Sequence, residues 1–253
     1  MVNMMTMKLA LALALLAWSA PVFGQTINIL TAQEKAQGWQ LVFDGKTLAG
    51  WHSSLPPQGR GRAAGAPPQA QPAQPPPPAQ PGALPAVGST PKPCVTALQG
   101  SGPAVPAGAS HWEVVDGLLM GCGAPAGYLT SDQSYRNFAL SIEFRTDEDS
   151  NSGVFVRSPQ ESGGYEVQIW RQQPAGYHTG SIVGTAKTAR DYRFKAGQWN
   201  QLLITADGDH LVVVLNGETT LDIRDTRFPE GHLRLQYQQY PIAFRNIKIR
   251  PLP

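Results

Sequence analysis

Residues 138–145 read FALSIEFR and residues 164–170 read GYEVQIW. In both stretches apolar and polar side chains alternate with period two, the spacing of a strand that has one face on a core. Phe138, Leu140, Ile142 and Phe144 fall on one face, and Ala139, Ser141, Glu143 and Arg145 on the other. Likewise Tyr165, Val167 and Ile169 point inward while Glu166, Gln168 and Trp170 point outward. The whole run 110–170 reads as consecutive strands whose non-core faces carry Glu143, Arg145, Arg157, Glu166 and Gln168. Polar residues repeated on one face of a sheet are what a groove for a polar ligand requires.

Further strand-like runs lie at 153–158, 200–206, 210–215, 219–223, 232–238 and 242–249, separated by the turn signals Asp207-Gly208, Asn216-Gly217 and Glu230-Gly231. No helical periodicity of useful length is present after the N-terminal apolar run. The class expected is all-β, about eleven strands in a two-sheet sandwich or jelly roll.

At the N-terminus Lys8 precedes an apolar run, residues 9–18, and then Val22, Phe23 and Gly24 stand ahead of Gln25. That is the layout of a signal peptide, residues 1–24, with cleavage after Gly24. The run is about half the ~20 residues of a spanning helix, so no stable membrane span is expected. The expectation is an exported protein, periplasmic or secreted. Losing Lys8 takes the formal charge from +2 to +1, too balanced for a nucleic-acid partner. Cys94 and Cys122 are the only cysteines, which in an oxidising compartment allows one disulfide or two free thiols. The sequence has no CxxC, no HExxH and no Cys/His cluster, so it offers no zinc motif.

Residues 55–109 hold 15 of the 23 prolines and no aromatic or acidic residue, so this segment cannot pack a core of its own. It is read as a disordered insertion into one domain, residues 25–253, because the strand expected at 40–43 is too short to stand apart from the sheets beyond residue 110.

Taken together, residues 38–51 (GWQLVFDGKTLAGW), 111–117 (HWEVVDG), 128–131 (YLTS), 138–145 (FALSIEFR), 151–157 (NSGVFVR) and 164–169 (GYEVQI) resemble the 3-keto-disaccharide hydrolase domain family. The C-terminal elements 198–200 (QWN), 215–217 (LNG) and 244–249 (FRNIKI) also fit its pattern. The resemblance implies a concanavalin A-like jelly roll with a sugar-binding sheet face, and an exported enzyme acting on glycosides oxidised at C3. Residues 236–240 (QYQQY) depart from it, standing where many members carry glutamine, an acidic residue, histidine and glycine.

A ketone at C3 acidifies the proton on C2. A base can then remove it, and the group on C1 leaves by elimination, before water adds to complete a net hydrolysis. Such chemistry needs a base, a stabiliser for the enolate oxygen and an acid for the leaving oxygen. The expected roles are Glu166 as base, Arg157 as enolate stabiliser, and Glu143 or His178 as acid. Gln168, Gln236 and Gln238 would hold sugar hydroxyls, and Trp170 would offer a ring face to a pyranose. A two-carboxylate glycosidase is also open. Glu143 paired with Arg157 or Arg145 could instead be a cross-strand ion pair that only organises the sheet. Trp51, Trp112 and Trp199 are read as core. The run 147–149 (DED) is read as a solvated hairpin rather than a calcium loop, so no metal ligands are assigned, although an enolate would benefit from a divalent cation. The competing function is a non-catalytic carbohydrate-binding module of the cell envelope.

Overall fold

The alternation over 138–145 folds as a nine-residue strand whose inward residues Phe138, Leu140, Ile142 and Phe144 are 0–1% exposed. The computed structural model describes residues 27–54, 109–124, 126–159 and 163–253. The expected signal peptide and nearly all of the Pro-rich insertion lie outside the described residues. In chain order the elements are α1 (Ala32–Ala36), β1 (Gln40–Leu41), β2 (Trp51–Ser54), β3 (Ala109–Val115), β4 (Leu118–Ala124), β5 (Gly127–Tyr135) and β6 (Phe138–Thr146). They continue as β7 (Asn151–Ser158), β8 (Tyr165–Ile169), β9 (Asn200–Asp207), β10 (His210–Leu215), β11 (Glu218–Arg224), β12 (Gly231–Gln239) and β13 (Ile242–Pro251). Among the described residues the eleven expected strands become thirteen, and the stretch 40–43 contributes only a two-residue strand. The five-residue helix is held by a capping box between Thr31 and Glu34, and Lys248 on β13 anchors Glu34 at 2.6 Å.

The strands form two antiparallel sheets. The first runs β11-β10-β9-β6-β13-β4-β3, with β1 added alongside β13; the second runs β2-β5-β12-β7-β8. Turn chemistry sets the hairpins: Val115 pairs with Leu118 and Leu215 with Glu218, leaving two-residue loops at Asp116-Gly117 and Asn216-Gly217. All four loop residues have φ between +51° and +84°, as a type I′ turn demands. The core lies between the sheets. Leu140, Ile142, Leu202, Ile204, Val213, Phe244 and Ile249 come from the first, and Leu129, Val154, Val156, Tyr165, Val167, Ile169 and Leu235 from the second, each 0–1% exposed. Trp51 and Trp112 are core as expected, the latter stacked on Phe244, while Trp199 is half-buried beneath Arg145 and Arg245 on the first sheet. Cys122, buried on β4, is disulfide-bonded; the one other cysteine of the sequence is Cys94, outside the described residues.

Arg157 is not on the polar face that strand alternation predicts. His232 pairs with Ser158 and Arg234 with Phe155, so β7 fits one residue more than β12 between these pairs. The extra residue is Arg157 at φ +51°, a β-bulge that turns its side chain away from the face its neighbours imply. Its guanidinium is fully buried and donates to the carbonyls of Arg136 (2.6 Å) and Gly208 (2.7 Å) and to Oδ1 of Asn137 (3.3 Å). It fastens the β5–β6 and β9–β10 turns to the second sheet. Arg157→Met is expected to lower stability by about 3 kcal/mol or more, through buried carbonyls left without donors. Urea denaturation measures this, and an unchanged midpoint would show that the staple carries no weight.

Candidate active site

The outer face of the second sheet carries the site. Cross-strand register aligns Glu166 of β8, Phe155 of β7, Arg234 of β12, Thr130 of β5 and His52 of β2 in one row. The next row holds Gln168, Gly153, Gln236, Tyr128 and Ser54. Residues directly paired across antiparallel strands share a face, so both rows follow from the pairing alone. On β8 the alternation is strict: Tyr165, Val167 and Ile169 are fully buried in the core, which turns Glu166 and Gln168 outward. The strand is not a free edge. Residues 180–183 pair along it, with Gly180 N donating to Gln168 O at 2.9 Å, Gln168 N to Ser181 O at 2.9 Å and Val183 N to Glu166 O at 3.0 Å.

The Glu166 carboxyl lies over Gly153. A Cβ at position 153 would sit 3.0 Å from Glu166 Oε1 and 3.1 Å from its Cγ, so the space the carboxyl occupies exists because residue 153 has no side chain. Burial pushes the carboxyl up to about 7, against the opposing pull of the Arg234 charge. A carboxylic acid with that affinity for protons is a base poised near neutral pH.

Arg234 is 1% exposed. Its guanidinium carbon stands 4.0 Å from the centre of the Tyr128 ring and 5.3 Å from that of Phe155, and NH1 donates to Ser158 Oγ at 3.3 Å. The Tyr128 and Phe155 rings meet edge to face, with centres 5.5 Å apart. Beside Arg234, Gln236 is 7% exposed and its buried Oε1 has no hydrogen-bond partner among the described residues. Gln168 Oε1 accepts the backbone N–H of Ile169 at 3.1 Å. A base, a desolvated cation and two amides therefore share one face, the equipment for removing a proton next to a carbonyl and holding the resulting oxyanion.

Several sequence expectations find a different place. Glu143 projects from the outer face of the first sheet, on the far side of the core from Glu166, where it accepts from Arg245 Nε (2.7 Å) and Asn246 Nδ2 (3.0 Å). It is an organiser of that sheet and cannot serve as the acid. Arg157, in the bulge, is spent on turn carbonyls away from this face; the buried cation in the row with Glu166 is Arg234. The same period-two reading applied to residues 233–238 would have found it, since Leu233, Leu235 and Tyr237 are buried in the core and Arg234 and Gln236 take the other face. His178 lies in the segment that follows β8, half-buried, with Nδ1 3.1 Å from the carbonyl of Arg171. That contact places the proton of the neutral ring on Nδ1, so Nε2 can donate only when the ring is an imidazolium. Trp170 is half-buried at the end of β8, and Gln238 is exposed at a second register shift, between Tyr237 and Gln239. In the 147–149 turn Glu148 pairs with Arg171 at 2.8 Å, and among the described residues no three His, Cys, Asp or Glu side chains gather as metal ligands.

The fold is a two-sheet antiparallel sandwich with a raised-pKa carboxyl and a buried cation on one polar face. The chain belongs to the 3-keto-alpha-glucoside-1,2-lyase-like domain family, whose profile matches residues 38–250. Among solved structures it is similar to a protein of Parabacteroides distasonis ATCC 8503 provisionally assigned as a glycosyl hydrolase, with TM-score 0.60 and 17% identity over 90% of this chain and 100% of that one. A second such protein from the same organism matches with TM-score 0.50 and 27% identity over 56% of this chain and 90% of that one. No curated protein matches the sequence. The first likeness concerns the fold alone.

Gly153→Ala places a methyl group 3.0 Å from Glu166 Oε1, closer than the carboxyl tolerates without shifting. The flexible carboxyl is expected to shift toward water and its titration to fall below about 7. Carbon NMR of labelled glutamate follows this, and an unmoved titration would contradict the placement of Glu166 over Gly153.

Proposed function

We propose that this chain is an exported enzyme that cleaves 3-keto-glycosides by removing the proton on C2. The observation that carries this reading is the Glu166 carboxyl, desolvated to about 7, acting within the field of the buried Arg234. Ionised Glu166 takes the C2 proton, and the electron pair moves into the C2–C3 bond while the C3 carbonyl becomes an enolate oxygen. Arg234 meets that negative charge, and in a desolvated site the interaction is far stronger than in water. The enolate then collapses, re-forming the ketone, making the C1–C2 double bond and breaking the bond from C1 to the leaving oxygen, which takes up a proton. His178 is a candidate donor for that proton in its imidazolium form. Addition of water to the unsaturated ketone completes a net hydrolysis, so lyase and hydrolase differ only in whether the second step follows on the same protein. Gln236 and Gln168 hold sugar hydroxyls, the unpartnered Oε1 of Gln236 as acceptor.

Export is supported by the layout of residues 1–24 and by the oxidised state of Cys122, since disulfides persist in oxidising compartments. The reading therefore places the enzyme in the periplasm or outside the cell.

The test is turnover of 3-keto-trehalose or 3-keto-sucrose, beside the unoxidised sugars, across a pH series. Because Glu166 must be ionised, kcat/KM is expected to rise as pH passes through about 7. Glu166→Gln should keep the fold and sugar binding while losing on the order of a hundredfold or more in kcat. Sugar binding without turnover at any pH would make the domain a binding module instead.

A further inference from the structure

Phe155 occupies a double position. It is the register partner of Glu166 on one side and of Arg234 on the other, so its strand runs between the two, and its ring centre lies 5.3 Å from the Arg234 guanidinium carbon. Arg234 acts on Glu166 through space and makes no hydrogen bond to it. Tyr128, on the far flank, lies diagonally across from Arg234, one residue pair along β5, and holds the guanidinium carbon 4.0 Å from its ring centre. The two rings brace each other edge to face at 5.5 Å and 88°. A guanidinium stacks well on an aromatic face, and a desolvated stack of this kind restrains a long, flexible side chain.

That restraint matters because a buried arginine beside a carboxylate has an obvious alternative, a direct two-pronged ion pair. Such a pair would lock Glu166 in its ionised form as a weak base and would neutralise the cation needed for the enolate oxygen. We infer that Tyr128 and Phe155 are positioning residues, a clamp of two rings that keeps Arg234 off the catalytic carboxylate so that base and cation act on opposite sides of a bound sugar. The inference rests on reading Glu166 as the base.

Tyr128 is the residue to change, since it sits on β5, separated from β8 by β12 and β7, and its loss does not hydrate Glu166 directly. The groups packed on Glu166 from β7 and from the 180–183 segment, Gly153, Phe155 and Val183, do not titrate, and Arg234 is the charge that acts on it. In Tyr128→Leu the guanidinium is expected to swing onto Glu166. The titration of labelled Glu166 should then fall from about 7 by about one pH unit or more. In the same variant kcat should drop on the order of a hundredfold, with the acid limb of kcat/KM moving to lower pH. Tyr128→Phe keeps the ring and should keep both properties. Arg234→Gln supplies the control: adding Tyr128→Leu to it should leave the Glu166 titration where the single Arg234→Gln variant has it. A Tyr128→Leu titration that stays put or rises, or one that falls equally without Arg234, would overturn the clamp. The titration needs no substrate. A fall in titration in a protein that turns over no 3-keto sugar would therefore uphold the clamp and reject the proposed reaction, while turnover with an unmoved titration would do the reverse.

Discussion

The contact of the Glu166 carboxyl with the bare backbone of Gly153 is the constraint on which the site depends. A Cβ at 153 would stand 3.0 Å from Oε1, so any larger residue there presses the carboxyl out of its present position. The contact holds only if β7 and β8 keep their register, because a slip of one residue would exchange Glu166 for a core side chain. Register in turn is fixed by the core. Tyr165, Val167 and Ile169 on β8 and Val154 and Val156 on β7 are fully buried, and each would be thrown into water by a slip. The pairing of residues 180–183 with β8 closes the last free edge near the site. The chain of causes therefore runs from the apolar alternation, through register, to one carboxyl held in a place poor in water.

One end of this arrangement is tied down by polar groups away from the Glu166 face. The buried Arg157 fastens two turns at one end of the second sheet. Nearby, the Tyr165 hydroxyl donates to Asp225 at 2.6 Å and accepts the backbone N–H of Phe228, fixing the connection between β11 and β12. Burial works against the Asp225 charge, yet hydrogen bonds from Arg227 and Tyr165 hold that carboxyl at about 2. The contrast with Glu166 is instructive. Both are partly shielded carboxyls, but among the described residues only Asp225 has donors to satisfy its charge, which leaves Glu166 the readier to accept a proton.

Much of this was legible in the sequence, and the failures share a cause. Period two placed the inward faces of β6 and β8 correctly, and Asn216-Gly217 gave its hairpin, because both rest on neighbours in sequence. Alternation says which face a residue takes within its own strand and nothing about which sheet the strand joins. Glu143 and Glu166 therefore looked alike, yet the core of the sandwich lies between them. Arg157 misled for a different reason: a bulge is set by the partner strand, and the extra residue in β7 shows only when β7 is laid against β12. Arg234 could have been found by the same alternation, but the residue types of 236–240 drew the reading away from it. The clamp of Tyr128 and Phe155 was beyond reach, since it joins residues of three strands that are far apart in sequence.

The most direct test of the account is the isotope effect on cleavage of a 3-keto-glucoside carrying deuterium at C2. Removal of the C2 proton by Glu166 as a slow step predicts that the deuterated sugar is cleaved several-fold more slowly at a pH above 7, and that protein in heavy water moves deuterium onto C2 of recovered substrate whenever the enolate returns. Equal rates for the two sugars, with no exchange at C2, would contradict the central claim and point to direct displacement at C1.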